Sequence, residues 1–182
     1  MSGEHENGGL KDAANKVQDM VGGMVGMASA ATAGSHDARA YIANACIGDF
    51  YEIEAGRLAI QRGRSEAVRE FGAMMVEHHT TAMHQMRSAL RSHEVTDEIP
   101  DAAPVVALDA RRAGMLKHLE EAADDVFDHT YLDQQRMAHQ ETLALHDGYA
   151  ENGGNPQLRS VARGGRPMVA RHLKMLGRIG VH

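Results

Sequence analysis

Tryptophan is absent, and the other ring residues amount to three Phe and four Tyr in 182 residues. A core without large rings needs another filler, and 12 Met supply flexible thioethers that adapt to irregular gaps. Proline is also scarce, at four, so little interrupts long helices. A single cysteine, Cys46, excludes an internal disulfide framework. Ile42, Ala45 and Ile47 around it mark a buried apolar thiol rather than a reactive one. Positive charge is not in excess: the formal charge is −6, with basic residues spread among acidic ones. That argues against a nucleic-acid binder, which would normally show a basic patch. No long hydrophobic run is present either. The most apolar stretch, residues 20–33, has 14 residues rich in Gly, Ser and Thr, short of the ~20 that span a bilayer. Residues 1–9, MSGEHENGG, lack the cationic start of a secretory signal, so a soluble cytoplasmic protein is expected. Dinucleotide fingerprints, phosphate loops, CxxC pairs and nucleophile elbows are missing as well.

What is present is apolar material, 43% of the chain, patterned for helix. Ala, Leu, Met, Glu, Gln and Arg dominate after residue 38. Residues 1–36 read as an N-terminal arm and 37–182 as the folded domain. Within the arm, Val17, Met20, Val21, Met24 and Met27 keep helical spacing over residues 11–33. Gly22, Gly23 and Gly26 each weaken that helix by about 1 kcal/mol relative to Ala. The Gly22–Gly26 spacing also permits close helix approach. Two readings stay open: a segment that forms a homo-oligomer or docks a partner, and a loosely ordered tail.

Four long helices are predicted beyond the arm. The first covers about 37–62, with Ile42, Cys46, Asp49, Ile53, Gly56 and Ile60 on one stripe and Ala45, Glu52 and Ala59 widening it. Ser65 caps the second, about 66–93, whose stripe is Val68, Phe71, Met75, His79, Ala82, Met86 and Leu90. A connector with Pro100 and Pro104 leads to a short helix, about 106–121. The third long helix, about 126–151, carries Asp128, Leu132, Gln135, His139, Thr142 and His146 in one row and Tyr131, Ala138, Leu145 and Tyr149 in the next. Asn155 and Pro156 open the fourth, about 156–178, with Leu158, Val161, Gly165, Met168, His172, Met175 and Ile179 on its stripe and a kink expected near Pro167. The predicted architecture is an all-α antiparallel four-helix bundle with one short connecting helix.

Glu52, His79, His139 and His172 stand near the middles of the four long helices. Each lies ten to seventeen residues from a turn, or roughly 15–25 Å at 1.5 Å per residue. Buried imidazoles and carboxylates need partners, and at one depth these four could ligate a divalent ion: zinc first, with iron or copper next. Asp49, Asp128, Tyr131, Gln135 and His146 are candidate extra ligands or outer acceptors. A metal-free polar layer that sets helix register, and surface histidines from a misread register, remain open beside the metal site. His84, His93 and His118 read as exposed. Arg136, Val76 and Val169 stand three residues before His139, His79 and His172, so the Glu-x-x-His pairs of a di-iron carboxylate bundle are missing.

The run Tyr51-Glu52-Ile53-Glu54-Ala55-Gly56-Arg57-Leu58-Ala59, then Phe71-Gly72-Ala73-Met74-Met75-Val76-Glu77-His78-His79-Thr80, resembles a bacterial family catalogued as domain of unknown function 4142. So do Phe127-Asp128-His129-Thr130-Tyr131 before His139, and Pro167 before His172-Leu173. The resemblance covers about residues 38–178. It implies a ferritin-like bundle whose characteristic residues fall on Glu52, His79, Asp128, Tyr131, His139 and His172. Many members look exported, with a signal peptide not read here, and His78 stands where an acid is common. The expected function is metal handling or stress protection. A metal-free helical interaction or scaffold protein, using residues 11–33 as its contact arm, is the alternative, and a metal-dependent hydrolase or oxidase using Asp49, Asp128 or Glu77 as base is the third reading.

Overall fold

The computed structural model describes residues 34–179. The predicted arm helix at 11–33 lies outside them. Six helices pack together: α1 (Ala38–Arg62), α2 (Glu66–Ala89), α3 (His93–Thr96), α4 (Ala110–Glu121), α5 (Phe127–Asn152) and α6 (Pro156–Ile179). No strand occurs among the described residues. The protein is all-α.

Local chemistry sets the helix boundaries. Asp37 accepts from the Ala40 N–H at 2.7 Å and opens α1. Ser65 Oγ accepts from Val68 N and opens α2. Asp109 opens α4 through Arg112 N, so that helix starts later than the spacing suggested. Asn155 Oδ1 accepts from Leu158 N, while its amide donates to the Glu94 carbonyl and to Glu98. Each cap satisfies an N–H that the helix itself cannot. Residues 63–65 join α1 to α2 and residues 153–155 join α5 to α6. Links that short force antiparallel neighbours.

Packing closes a ring: α1 lies on α2, α2 on α6, α6 on α5, and α5 on α1. Two apolar clusters fill its ends. One holds Tyr41, Ile42, Cys46, Met86, Leu90, Leu145, Tyr149 and Leu158. The other holds Tyr51, Ala59, Val68, Phe71, Met75, Phe127, Tyr131 and Leu176. Following each helix from one cluster to the other shows that every neighbouring pair in the ring is antiparallel. Because α2 ends in the first cluster and α5 starts in the second, the connection through α3 and α4 runs the length of the molecule. One long crossover of this kind distinguishes ferritin-like bundles from up-down-up-down ones.

Two predicted stripes are displaced. Ile60 is 42% exposed, so the first helix's core row ends at Ala59. On α6 the fully buried row is Leu158, Ala162, Val169, His172 and Leu176, with Val161, Met168 and Met175 half-buried beside it. Gly165 is the reason: a Cβ there would meet His146 Nε2 at 2.7 Å, so the bare backbone seats α6 on that ring and turns the adjacent row inward. The helix runs through Pro167. His118, expected at the surface, is buried because α4 lies against α1 and α5.

Candidate metal centre

Between the two apolar clusters each long helix contributes polar side chains. Asp49 and Glu52 lie one turn apart on the buried face of α1. That face meets α2 closely at Gly56 and Gly72, where a Cβ on either would come within 2.8 Å of the other's carbonyl oxygen. The close approach puts His79 of α2 within reach of α1. His79 Nδ1–H donates to Asp49 Oδ1 at 2.8 Å. His139 of α5 and His172 of α6 complete the group, and all three imidazoles are at most 1% exposed.

The rings form a near-equilateral triangle, with centroids 5.6, 5.6 and 5.1 Å apart. One donor nitrogen from each lies within 4.8 Å of the others. Their hydrogen bonds identify the inner and outer nitrogens. His79 commits Nδ1 to Asp49, which leaves Nε2 buried with no partner. His139 Nδ1 lies 2.8 Å from the Gln135 carbonyl. A carbonyl only accepts, so Nδ1 carries the hydrogen and Nε2 of the neutral ring is bare. That Nε2 is 3.0 Å from His172 Nδ1, and His172 Nε2 is 2.8 Å from His78 Nδ1. Each ring therefore turns one nitrogen outward to a holding group and the other toward a shared point. Outer groups that fix an imidazole in this way are the usual surroundings of a histidine metal ligand. Three buried histidines are thus arranged so that they could hold a metal ion.

The electrostatics keep two of these lone pairs available. Burial, then the charges of His79 and His172, pushes His139 well below the ordinary histidine range. Burial, then His79 and His78, takes His172 down to about 3. Burial also pulls on His79, but the hydrogen bond and charge of Asp49, with Glu52 behind them, outweigh it and raise the ring. Burial pushes the Glu52 carboxyl up to about 7 against the pull of His79 and Gln135. Phe71 walls the group on one side, its ring 6.3 Å from His139 and 6.2 Å from His172.

Glu52 sits beside the triangle rather than at its centre. Its Oε2 accepts from Gln135 Nε2 at 2.6 Å, and its Oε1 lies 3.4 Å from the outer nitrogen of His139 with no hydrogen-bond partner. With His139 neutral, that contact is not an ion pair. Tyr131 stands one turn before Gln135, fully buried, its hydroxyl also unpartnered; burial and then Glu52 hold its pKa well above the ordinary value.

His146 is not brought to the triangle. Its Nδ1 meets the Tyr41 hydroxyl at 3.1 Å, and burial takes it down to about 4. Asp128 is farther removed in role: its two oxygens accept from the backbone N–H groups of Arg64 and Ser65, each at 2.9 Å. It ties the start of α5 to the α1–α2 turn. Two buried polar groups, Glu141 and Gln134, escaped the sequence reading, and the half-buried His78 was read without its partner. Glu141 pairs with Arg111 and Arg112 of α4. Gln134 accepts from the Tyr51 hydroxyl and donates to the Met115 carbonyl. His78 lies edge to edge with His172, the two rings nearly coplanar at an interplanar angle of 9°. All three lie off the long-helix stripes, so only the placement of a neighbouring helix could reveal them.

The family model described as Domain of unknown function (DUF4142) matches residues 23–179. No curated protein and no solved structure gives a significant match. The chain belongs to the DUF4142 family.

Proposed function

We propose that this member of the family binds one divalent transition-metal ion through His79, His139 and His172, and that its role is metal handling or protection against metal-linked stress. The observation that carries the reading is the buried, unpartnered Nε2 of His79, aimed at the point the other two rings share. An orphaned buried nitrogen costs about 1–3 kcal/mol, and a bound cation removes that cost. Burying a doubly charged ion also needs compensating charge. Asp49, bonded to His79, and Glu52, beside His139, stand ready to supply it. Glu52 Oε1 is the uncommitted oxygen there, but it lies against the outer nitrogen of His139 and outside the three-histidine group, so Glu52 supplies charge rather than a fourth ligand.

Zinc comes first among candidate ions, followed by iron and copper. Imidazole nitrogens suit it, and bonds of about 2.0–2.1 Å separate tetrahedral neighbours by about 3.3–3.4 Å. His139 Nε2 and His172 Nδ1 are 3.0 Å apart, so small side-chain shifts reach that edge. Elemental analysis of purified protein, with and without chelator treatment, tests the reading. Wild type is expected to hold close to one equivalent, and a His139→Ala, His172→Ala double variant to hold none. Equal trace metal in both proteins would falsify it.

One observation favours a second reading, a metal-free helical scaffold. His78 Nδ1–H to His172 Nε2, His172 Nδ1–H to His139 Nε2 and His139 Nδ1–H to the Gln135 carbonyl form a complete chain without any ion. Of the six nitrogens of the triangle, His79 Nε2 alone then has no partner, since His79 Nδ1 bonds Asp49. The metal-dependent hydrolase or oxidase has less support. Asp49 is committed to His79, Asp128 to the α1–α2 turn, and Glu77 is exposed.

A further inference from the structure

We infer that His78 selects the tautomer of His172, and that metal occupancy reverses the hydrogen bond between the two rings. This rests on the metal reading above. His78 precedes a ligand on α2 and is half-buried, so it reaches from the triangle to solvent. Its Nδ1 faces His172 Nε2 at 2.8 Å, and the rings are nearly coplanar, edge to edge, with centroids 5.1 Å apart.

Without an ion, the Gln135 carbonyl dictates the direction of every bond in the chain. It requires the hydrogen on His139 Nδ1, so His172 must donate from Nδ1 to the bare His139 Nε2. His172 Nε2 is then bare, and His78 must donate to it from Nδ1. With an ion in the triangle, His172 Nδ1 has to present its lone pair. A neutral His172 then carries its hydrogen on Nε2, which donates to His78 Nδ1. His78 in turn carries its hydrogen on Nε2, toward solvent. Both rings stay neutral with one ring hydrogen each, so the change consumes and releases no net proton. An acceptor at position 78 therefore favours the loaded state, and a donor there favours the empty one. Histidine serves both because either ring nitrogen can hold the hydrogen. His78 is a positioning residue, acting through His172 rather than on the ion.

The test uses the full chain with zinc as the first probe, titrated against a competing chelator. Three proteins are compared: wild type, His78→Asp (acceptor only) and His78→Leu (neither donor nor acceptor). His78→Leu is expected to weaken zinc binding by about 10–100-fold, the usual effect of removing an outer partner. His78→Asp is expected to bind zinc at least as tightly as wild type. Independently of the variants, nitrogen-15 NMR of wild type should show the His78 hydrogen moving from Nδ1 to Nε2 on zinc saturation, and the His172 hydrogen doing the same. Wild type that binds zinc while His78 keeps its Nδ1 hydrogen, or while both variants bind within twofold of it, overturns this inference alone. Wild type that binds none of zinc, iron and copper overturns the metal reading and this inference together.

Discussion

His146 packs its ring on the bare backbone of Gly165 and touches the Tyr41 hydroxyl. Burial holds its pKa at about 4, against an ordinary 6.5. The sign of the consequence follows from proton counting. Between those two values the unfolded chain binds the proton and the folded one does not, so stability rises with pH there and is lost as pH falls from about 6.5 toward 4. At 1.36 kcal/mol per unit, the ceiling for this one residue is about 3 kcal/mol. His146→Asn keeps a partner for Tyr41 and cannot ionise. Urea unfolding at pH 7 and pH 5 should show a smaller loss in the variant than in wild type; equal losses would remove His146 from the acid sensitivity. Cys46 shows the same physics in a thiol, since burial pushes it up to about 11 and leaves it protonated at neutral pH.

At the scale of elements, the start of α5 and the α1–α2 turn are a single joint. Asp128 takes two backbone N–H groups from that turn. Arg62, at the end of α1, donates to the carbonyls of Leu119, Glu120 and Ala122, with its guanidinium 4.7 Å over the Phe127 ring. The joint sets the depth of α5 against α1, and with it the level at which His139 meets His79. Asp128→Ala is expected to destabilise the fold by about 1–2 kcal/mol, because two N–H groups lose a charged acceptor at a partly solvated site. Metal stoichiometry should stay at the wild-type value. A variant of wild-type stability that had lost its metal would instead make Asp128 a ligand.

For the whole molecule, the triangle joins α2, α5 and α6, while Asp49 couples α1 to it. In this topology α1–α2 and α5–α6 are separate hairpins joined by the long crossover. An ion held by ligands from both hairpins therefore cross-links the two halves. Free ion at about 100 times its dissociation constant adds about 2.7 kcal/mol to the folded state. For a domain near 150 residues that is about 5–10 °C in Tm. Thermal melts with added zinc should show this rise, excess chelator should abolish it, and the His139→Ala, His172→Ala variant should not respond. A zinc-insensitive wild-type melt would count against the cross-link.

Helical spacing alone located the helices to within a few residues and placed Glu52, His79, His139 and His172 near mid-helix, since period and depth depend only on local geometry. The same spacing placed Asp128 and His146 on the row of His139. Spacing along a helix says which side a residue takes, not which neighbour it meets there. The tertiary structure decided that. It seated α6 on His146 through Gly165 and buried Leu176 in place of Met175. It sent Asp128 to the backbone of a turn. It also brought the half-buried His78 onto His172. Ring orientation and hydrogen-bond polarity are properties of the assembled interior, where each nitrogen answers to a group on another helix. Composition and period selected the bundle and its polar level; packing selected which nitrogens face one another.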